Sequence, residues 1–168
     1  MRSMVSTLAL VAAQACSVCL VSTAASAADT MPEPTPVAAS AAPAKSDRMA
    51  TAREAVKAKD WKKSIAELTL AVREQPASAD AHNLLAYSLR KQATPDLAQA
   101  FEHYNTALKL NPKHKGAHEY IGEAYLMDKK PAKAEEHLAQ LKTICGNTTC
   151  EEYEDLAKSI AAYKAKNR

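Results

Sequence analysis

Chemistry in this 168-residue chain would have to come from five histidines, two late cysteines and a few carboxylate pairs. His114 and His118 stand four apart, so they share one side of a helix if that helix already includes His114. Two imidazoles so placed can begin a metal site. No carboxylate or thiolate completes the set locally, and two ligands hold a transition metal weakly. His82 and His118 each open an apolar pattern of the same form, while His103 and His137 lie beside core positions, so packing accounts for these four. We expect no bound metal. Cys145 and Cys150 enclose Gly146, Asn147, Thr148 and Thr149, of which Gly and Asn permit the left-handed backbone of a tight closure. A disulfide closing that ring would stabilise by about 2 kcal/mol in the chain-entropy picture. The alternative is a redox pair, against which the spacing argues, since thioredoxin-type cysteines are separated by two residues.

Catalytic constellations are missing from the sequence. It has no Gly-x-Ser-x-Gly elbow, no Gly-rich loop before a helix and no His-Glu-x-x-His. Ser64, Ser88 and Ser159 have no base nearby in sequence, and Glu135-Glu136 and Glu151-Glu152 read as solvated faces and helix-start charges. The 22 basic and 19 acidic residues give a formal charge of +3, too small an excess for a nucleic-acid surface. Three glycines against eight prolines, among abundant Ala, Leu, Lys and Glu, favour helices over strands and phosphate loops. Neither an enzyme nor a cofactor is expected.

The elements that would position any site occupy only part of the chain. Residues 1–27 carry one charge, Arg2, then an apolar run from Met4 to Val21 and the small-residue end Ala25-Ser26-Ala27. That pattern predicts a cleavable export signal and a periplasmic or secreted protein. A retained membrane anchor is the competing reading, disfavoured because no basic stop-transfer cluster follows before Lys45. Residues 28–45 hold four of the eight prolines and no aromatic residue, as expected of a disordered Ala/Pro-rich linker. The folded domain is expected over 46–168.

Within it, Pro76 and Pro112 mark a recurrence. Trp61, Leu68 and Ala71 precede the first as Ala100, Tyr104 and Ala107 precede the second. The patterns His82-x2-Leu85-Ala86 and His118-x2-Ile121-Gly122 then open successive units, followed by Leu89 and Tyr125. Units of this length, each a pair of helices, signal a helical solenoid. These residues resemble the tetratricopeptide repeat, strongly in the last two units and faintly in the first, where Thr51, Ala52 and Ala55 match poorly. The resemblance implies an all-α fold: three helix-turn-helix repeats (about 46–78, 79–114 and 115–148) in a right-handed α-solenoid. Helices are expected near 47–58, 61–75, 79–92, 96–110, 115–128 and 131–144. A helix over 151–166, with Tyr153, Leu156, Ala157, Ile160 and Tyr163 on one stripe, would cap the stack. Pro95 and Pro131 are expected in the first turns of second helices, and two extra residues around Gln92 to Pro95 lengthen one turn. Small Ala86, Ala100, Gly122 and Ala134 would let paired helices approach closely. A coiled coil or four-helix bundle competes, but heptads are absent.

In that family the first helices line a concave groove. Carrying the phase over places Met49, Arg53, Asn83, Tyr87, Arg90, Glu119, Glu123 and Met127 there, with Val56, Lys57, Lys91 and Leu126 beside them. The resemblance thus implies a non-catalytic module that binds a peptide or protein, monomeric or weakly homodimeric through its first unit. The groove would be basic at one end and acidic with an apolar lip at the other, with Tyr87 as an exposed anchor. Some members grip a terminal carboxylate through Lys, Asn and Arg; Glu119 and Glu123 argue against that use here. The alternative function is a small metal or redox accessory built from His114, His118, Cys145 and Cys150.

Overall fold

The computed structural model describes residues 45–167. The export signal expected over 1–27 and nearly all of the linker expected over 28–45 lie outside them. Lys45, placed at the end of that linker, instead opens the first helix. Seven helices follow in order: α1 (Lys45–Lys57), α2 (Trp61–Glu74), α3 (Ala79–Lys91), α4 (Leu97–Leu110), α5 (Lys115–Met127), α6 (Pro131–Cys145) and α7 (Glu151–Lys166). Among the described residues there is no strand, and no helix is long and apolar enough to cross a membrane.

Local chemistry sets the helix starts. Asp60, Ser78 and Asp96 accept the Lys63, Ala81 and Gln99 N–H groups at 3.0, 3.2 and 3.0 Å, filling donors that a helix start leaves unpaired. His114 does the same for Ala117 through Nδ1 at 3.1 Å. The condition under which His114 and His118 would share one side of a helix is therefore not met: α5 begins at Lys115, as expected, and His114 is its cap. Pro131 does sit in a first turn, but Pro95 does not: it precedes Asp96, the cap of α4.

The turns within repeats explain the two extra residues. After α1, Lys59 adopts φ 57° and its N–H bonds Val56 O, while Asp60 N–H bonds Ala55 O. After α5, Lys129 adopts φ 58° with the same pair of bonds, to Leu126 and Tyr125. These are left-handed helix ends that reverse the chain in a few residues, at a steric cost for any side chain. The longer middle turn reaches α4 by another route, through Asp96 N–H to Leu89 O at 3.1 Å.

Packing follows the expected solenoid order. α1 lies on α2, α3 on α4 and α5 on α6, and each second helix meets the next first helix; α7 closes the stack against both α5 and α6. One apolar cluster runs through α1 to α5 around Leu68, Leu85, Tyr104 and Ile121, and a second joins α5, α6 and α7 around Leu141, Leu156 and Ile160. Ala52 and Ala55, weak matches to the repeat pattern, are both buried; their smallness lets α1 seat closely. Gly122 serves a contact other than the one expected. A Cβ there would stand 2.6 Å from Leu156 Cδ2, so the absent side chain admits the capping helix rather than α6. Leu156 itself is fully buried, which contributes about 2 kcal/mol of apolar transfer.

Candidate functional site

Helix phase puts Asn83, Tyr87 and Arg90 on one stripe of α3 and Glu119 and Glu123 on one stripe of α5. The two helices are neighbours, so the stripes meet. Their contact was not legible as a groove with separate charged ends. Arg90 Nη2 donates to Glu123 Oε2 at 2.6 Å, and Arg90 Nε donates to the Tyr104 hydroxyl at 3.3 Å. Arg90 is only 5% exposed. Arg90 and Glu123, one residue of each expected end, thus neutralise each other inside the structure, and Ser159 of α7 donates to the other oxygen of Glu123 at 3.1 Å. Glu123 ties three helices together.

Tyr87 is likewise no exposed anchor. Its ring is half-buried, 6.0 Å from Trp61 and 4.7 Å from Tyr120 between centroids. The Arg90 guanidinium carbon lies 5.4 Å from the Tyr87 ring and 5.9 Å from that of Tyr120, within cation–π range. Burial first, and then the nearby carboxylates, hold the Tyr87 hydroxyl above its ordinary pKa against the pull of Arg90.

Two buried groups on this face lack partners. Asn83 is 5% exposed, and its Oδ1 has no hydrogen-bond partner; its amide nitrogen would stand 3.4 Å from a Cβ added at Gly116, one turn before Glu119. Glu119 is 8% exposed and forms no ion pair or side-chain hydrogen bond among the described residues. Burial pushes its carboxyl up to about 8, reinforced by Glu123, Asp155 and Glu152 and opposed by Arg90. Such a shift means that the surroundings disfavour the ionised carboxylate and favour the neutral acid. Of the other expected residues, Arg53 is exposed and pairs with Asp80 at 3.6 Å, Met49 packs against the first core cluster, and Met127 is exposed. Sequence reasoning missed Tyr120, Glu152, Asp155 and Ser159. Tyr120 corresponds in the repeat to Leu84, so no repeat offset from Tyr87 points to it; the other three share one stripe of a helix read only as a cap.

The histidines assemble differently from the expected pair. His114 Nε2 contacts Asp80 at 3.0 Å, whereas His118 Nδ1 lies 2.9 Å from His137 Nδ1, and His82 Nδ1 lies 2.9 Å from His103 Nδ1. In each pair the first-helix ring also bonds a proline carbonyl, Pro112 O or Pro76 O. A carbonyl demands N–H at Nε2, which leaves Nδ1 to accept from the partner ring. Burial first, then His118, lowers the His137 pKa to about 4. His114 and His118 therefore do not converge. The one metal-spaced group among the described residues is Cys145, Cys150 and Glu152, which includes no histidine. The Cys145 and Cys150 sulfurs lie at bonding distance, with Cα atoms 6.3 Å apart. On the opposite side of α3, a cavity of about 250 Å³ is lined by Ile65, Val72, Leu85, Leu89 and His103 among others; no expected site residue lines it.

Comparison with known proteins settles the family. A model of the tetratricopeptide repeat matches residues 49–104 and again residues 94–147. The chain belongs to the tetratricopeptide repeat family. No curated protein matches its sequence significantly. Among solved structures it is similar to the TPR2B domain of yeast Sti1 in a complex with pHsp70, at 18% identity and TM-score 0.65, covering 74% of this chain and 98% of that one. It is also similar to the Arabidopsis OM64 TPR domain, at 17% identity and TM-score 0.63, over 71% of this chain and 96% of that one. The Yersinia enterocolitica type III secretion translocator chaperone SycD aligns at 12% identity and TM-score 0.62, over 74% of this chain and 94% of that one. At these identities the likeness is one of fold. Membership in the tetratricopeptide repeat family makes the chain a protein–protein interaction module in the general sense.

Proposed function

We propose that this tetratricopeptide repeat protein is a non-catalytic periplasmic module that holds a peptide or protein segment against the face formed by α1, α3 and α5. Arg53, Asn83, Tyr87, Glu119 and Met127 contact the partner in this reading, while Arg90 and Glu123 brace the face from within. The observation that carries it is the pairing of half-buried aromatic rings, Tyr87 and Tyr120, with a buried carboxylate, Glu119, that has no partner of its own. Aromatic anchors beside unfilled polar capacity are what a partner can exploit. The Sti1 domain in its pHsp70 complex supports the general mode by fold.

Export would follow from residues 1–27, and an oxidising compartment would make Cys145–Cys150 a structural disulfide rather than a redox couple. The accessory reading is weakened because His114 is engaged with Asp80 and Ala117. A photo-crosslinking side chain at position 87 or 127, in exported protein with its cysteines oxidised, tests the binding face. We expect it to capture one partner that the same probe at the exposed second-helix positions Leu70 and Leu110 does not. The reverse pattern would move binding to the other side of the molecule.

A further inference from the structure

We propose that the acidic face where α5 meets α7, around Glu119, Tyr120 and Asp155, receives a basic side chain, an arginine or lysine, of the bound partner. The inference rests on the binding face just described and names its chemistry. Four carboxylates gather where α5 meets α7: Glu119, Glu123, Glu152 and Asp155. Two have cations. Arg90 serves Glu123 at 2.6 Å and Lys115 serves Glu152 at 3.4 Å. Glu119 and Asp155 have none among the described residues, although Glu119 is 92% buried, the complement of its 8% exposure. A carboxylate desolvated beside others of its own sign is costly, and a cation brought by a partner relieves that cost.

The geometry selects an organic cation over a bare ion. Among the described residues only Cys145, Cys150 and Glu152 converge to metal-ligand spacing, so Glu119 and its neighbours are too far apart to share one ion. A guanidinium or ammonium on a long stem can bridge separated carboxylates, and its stem can lie on an aromatic ring. Tyr87 and Tyr120 supply such rings and already carry the Arg90 guanidinium within 5.9 Å of both. The groups facing Glu119 are Tyr87 and Arg90 from α3, Tyr120 and Glu123 from α5, and Glu152 and Asp155 from α7. The cations at these groups are already engaged: Arg90 with Glu123, and Lys115, one turn before Glu119 on α5, with Glu152, while Lys91 of α3 stands with its Nζ 5.9 Å from the Tyr87 ring centroid. Because the Glu119 carboxyl is held up at about 8, a cation arriving at neutral pH displaces a proton from it, and affinity should rise as pH goes from 6 to 9.

Amide-shift titration of the isotope-labelled exported protein tests this with three blocked tripeptides: Leu-Arg-Leu, Leu-norleucine-Leu and Leu-Glu-Leu. The arginine probe should shift the amides of Tyr87, Glu119, Tyr120 and Asp155 and bind about tenfold tighter than the norleucine probe. Glu119→Gln, which preserves shape, should remove most of that advantage, and Asp155→Asn, at an exposed position that the fold does not need, should reduce it independently. Equal binding of all three probes at these amides would overturn the cation preference and leave the binding face standing. Arginine binding that ignores both substitutions, or arginine shifts confined to the cavity lined by Val72 and Leu85, would overturn the proposal, and the second result would also displace the binding face. The glutamate probe binding tighter than the arginine probe would refute the charge argument outright.

Discussion

Replacing Glu119 by glutamine removes an acid that the fold holds without a partner and ionises reluctantly, and the stability change should depend on pH in a defined direction. The Glu119 carboxyl is raised from an ordinary 4.5 to about 8, so the folded chain binds a proton there more tightly than the unfolded chain. Its contribution to stability is complete below pH 4.5, where both states are protonated, and is lost as pH rises toward 8. Taken at face value the shift is worth roughly 5 kcal/mol, at 1.36 kcal/mol per unit. Residual exposure of Glu119 lets water and relaxation absorb much of it, so about 2 kcal/mol is the expected size. Glutamine imitates the neutral acid and cannot ionise. Urea unfolding of both proteins should therefore give near-equal stabilities at pH 4.5 and a variant more stable by about 2 kcal/mol at pH 9. The repulsion that Glu119 shares with Glu123, Asp155 and Glu152 is relieved in the variant together with the desolvation, in the same direction. A difference that stays flat with pH, or one largest in acid, would refute the claim that Glu119 is a desolvated and unsupported acid.

Three further outcomes follow from the packing. Gly122→Ala should destabilise by about 1 kcal/mol in thermal or urea unfolding despite alanine's better helix propensity, because its Cβ would meet Leu156; adding Leu156→Val should restore part of the loss. Lys129→Gly should stabilise by about 0.5–1 kcal/mol, since Lys129 holds a left-handed φ of 58°, whereas Lys133→Gly inside α6 should destabilise. Cys145→Ser with Cys150→Ser should cost about 2 kcal/mol under oxidising conditions and nothing further in reductant, with faster hydrogen exchange in α7 than in α3; exchange that rises uniformly would argue that the ring does not hold α7.

The helices were legible because some carry boundary signals and the units recur. Pro131 marks the start and Gly146 the stop of α6, and the recurrence around Pro76 and Pro112 fixes the order of the pairs, while the caps Ser78 and Asp96 appear only in the structure. What was lost lies between elements. Arg90 and Glu123 were each on the right stripe, but facing stripes from α3 and α5 bring them within 2.6 Å, and no single-helix pattern encodes that distance. His82 and His103 illustrate the same limit. Both were read as packing residues, and nothing local announced that their Nδ1 atoms meet across a helix pair, or that His118 and His137 repeat the arrangement. His114 differs: its four-residue spacing from His118 could pair the two only inside one helix, and the start of α5 at Lys115 makes His114 a cap instead.

The last helix shows how support and binding can fall to one element. α7 was expected only to cover the open end of the stack, and Leu156 and Ile160 do that. The adjacent stripe of the same helix brings Glu152, Asp155 and Ser159 to the binding face, where Ser159 secures Glu123 and Asp155 raises the carboxyl of Glu119. Gly122 is what allows α7 to sit that close. The acidity of this face is then a consequence of capping: without α7, Glu119 would lose both desolvation and two of its like-charged neighbours. Any change that loosens α7, whether at Gly122, Leu156 or the Cys145–Cys150 link, should weaken preference for a basic probe before it unfolds α1 to α4, whose apolar cluster includes no α7 residue.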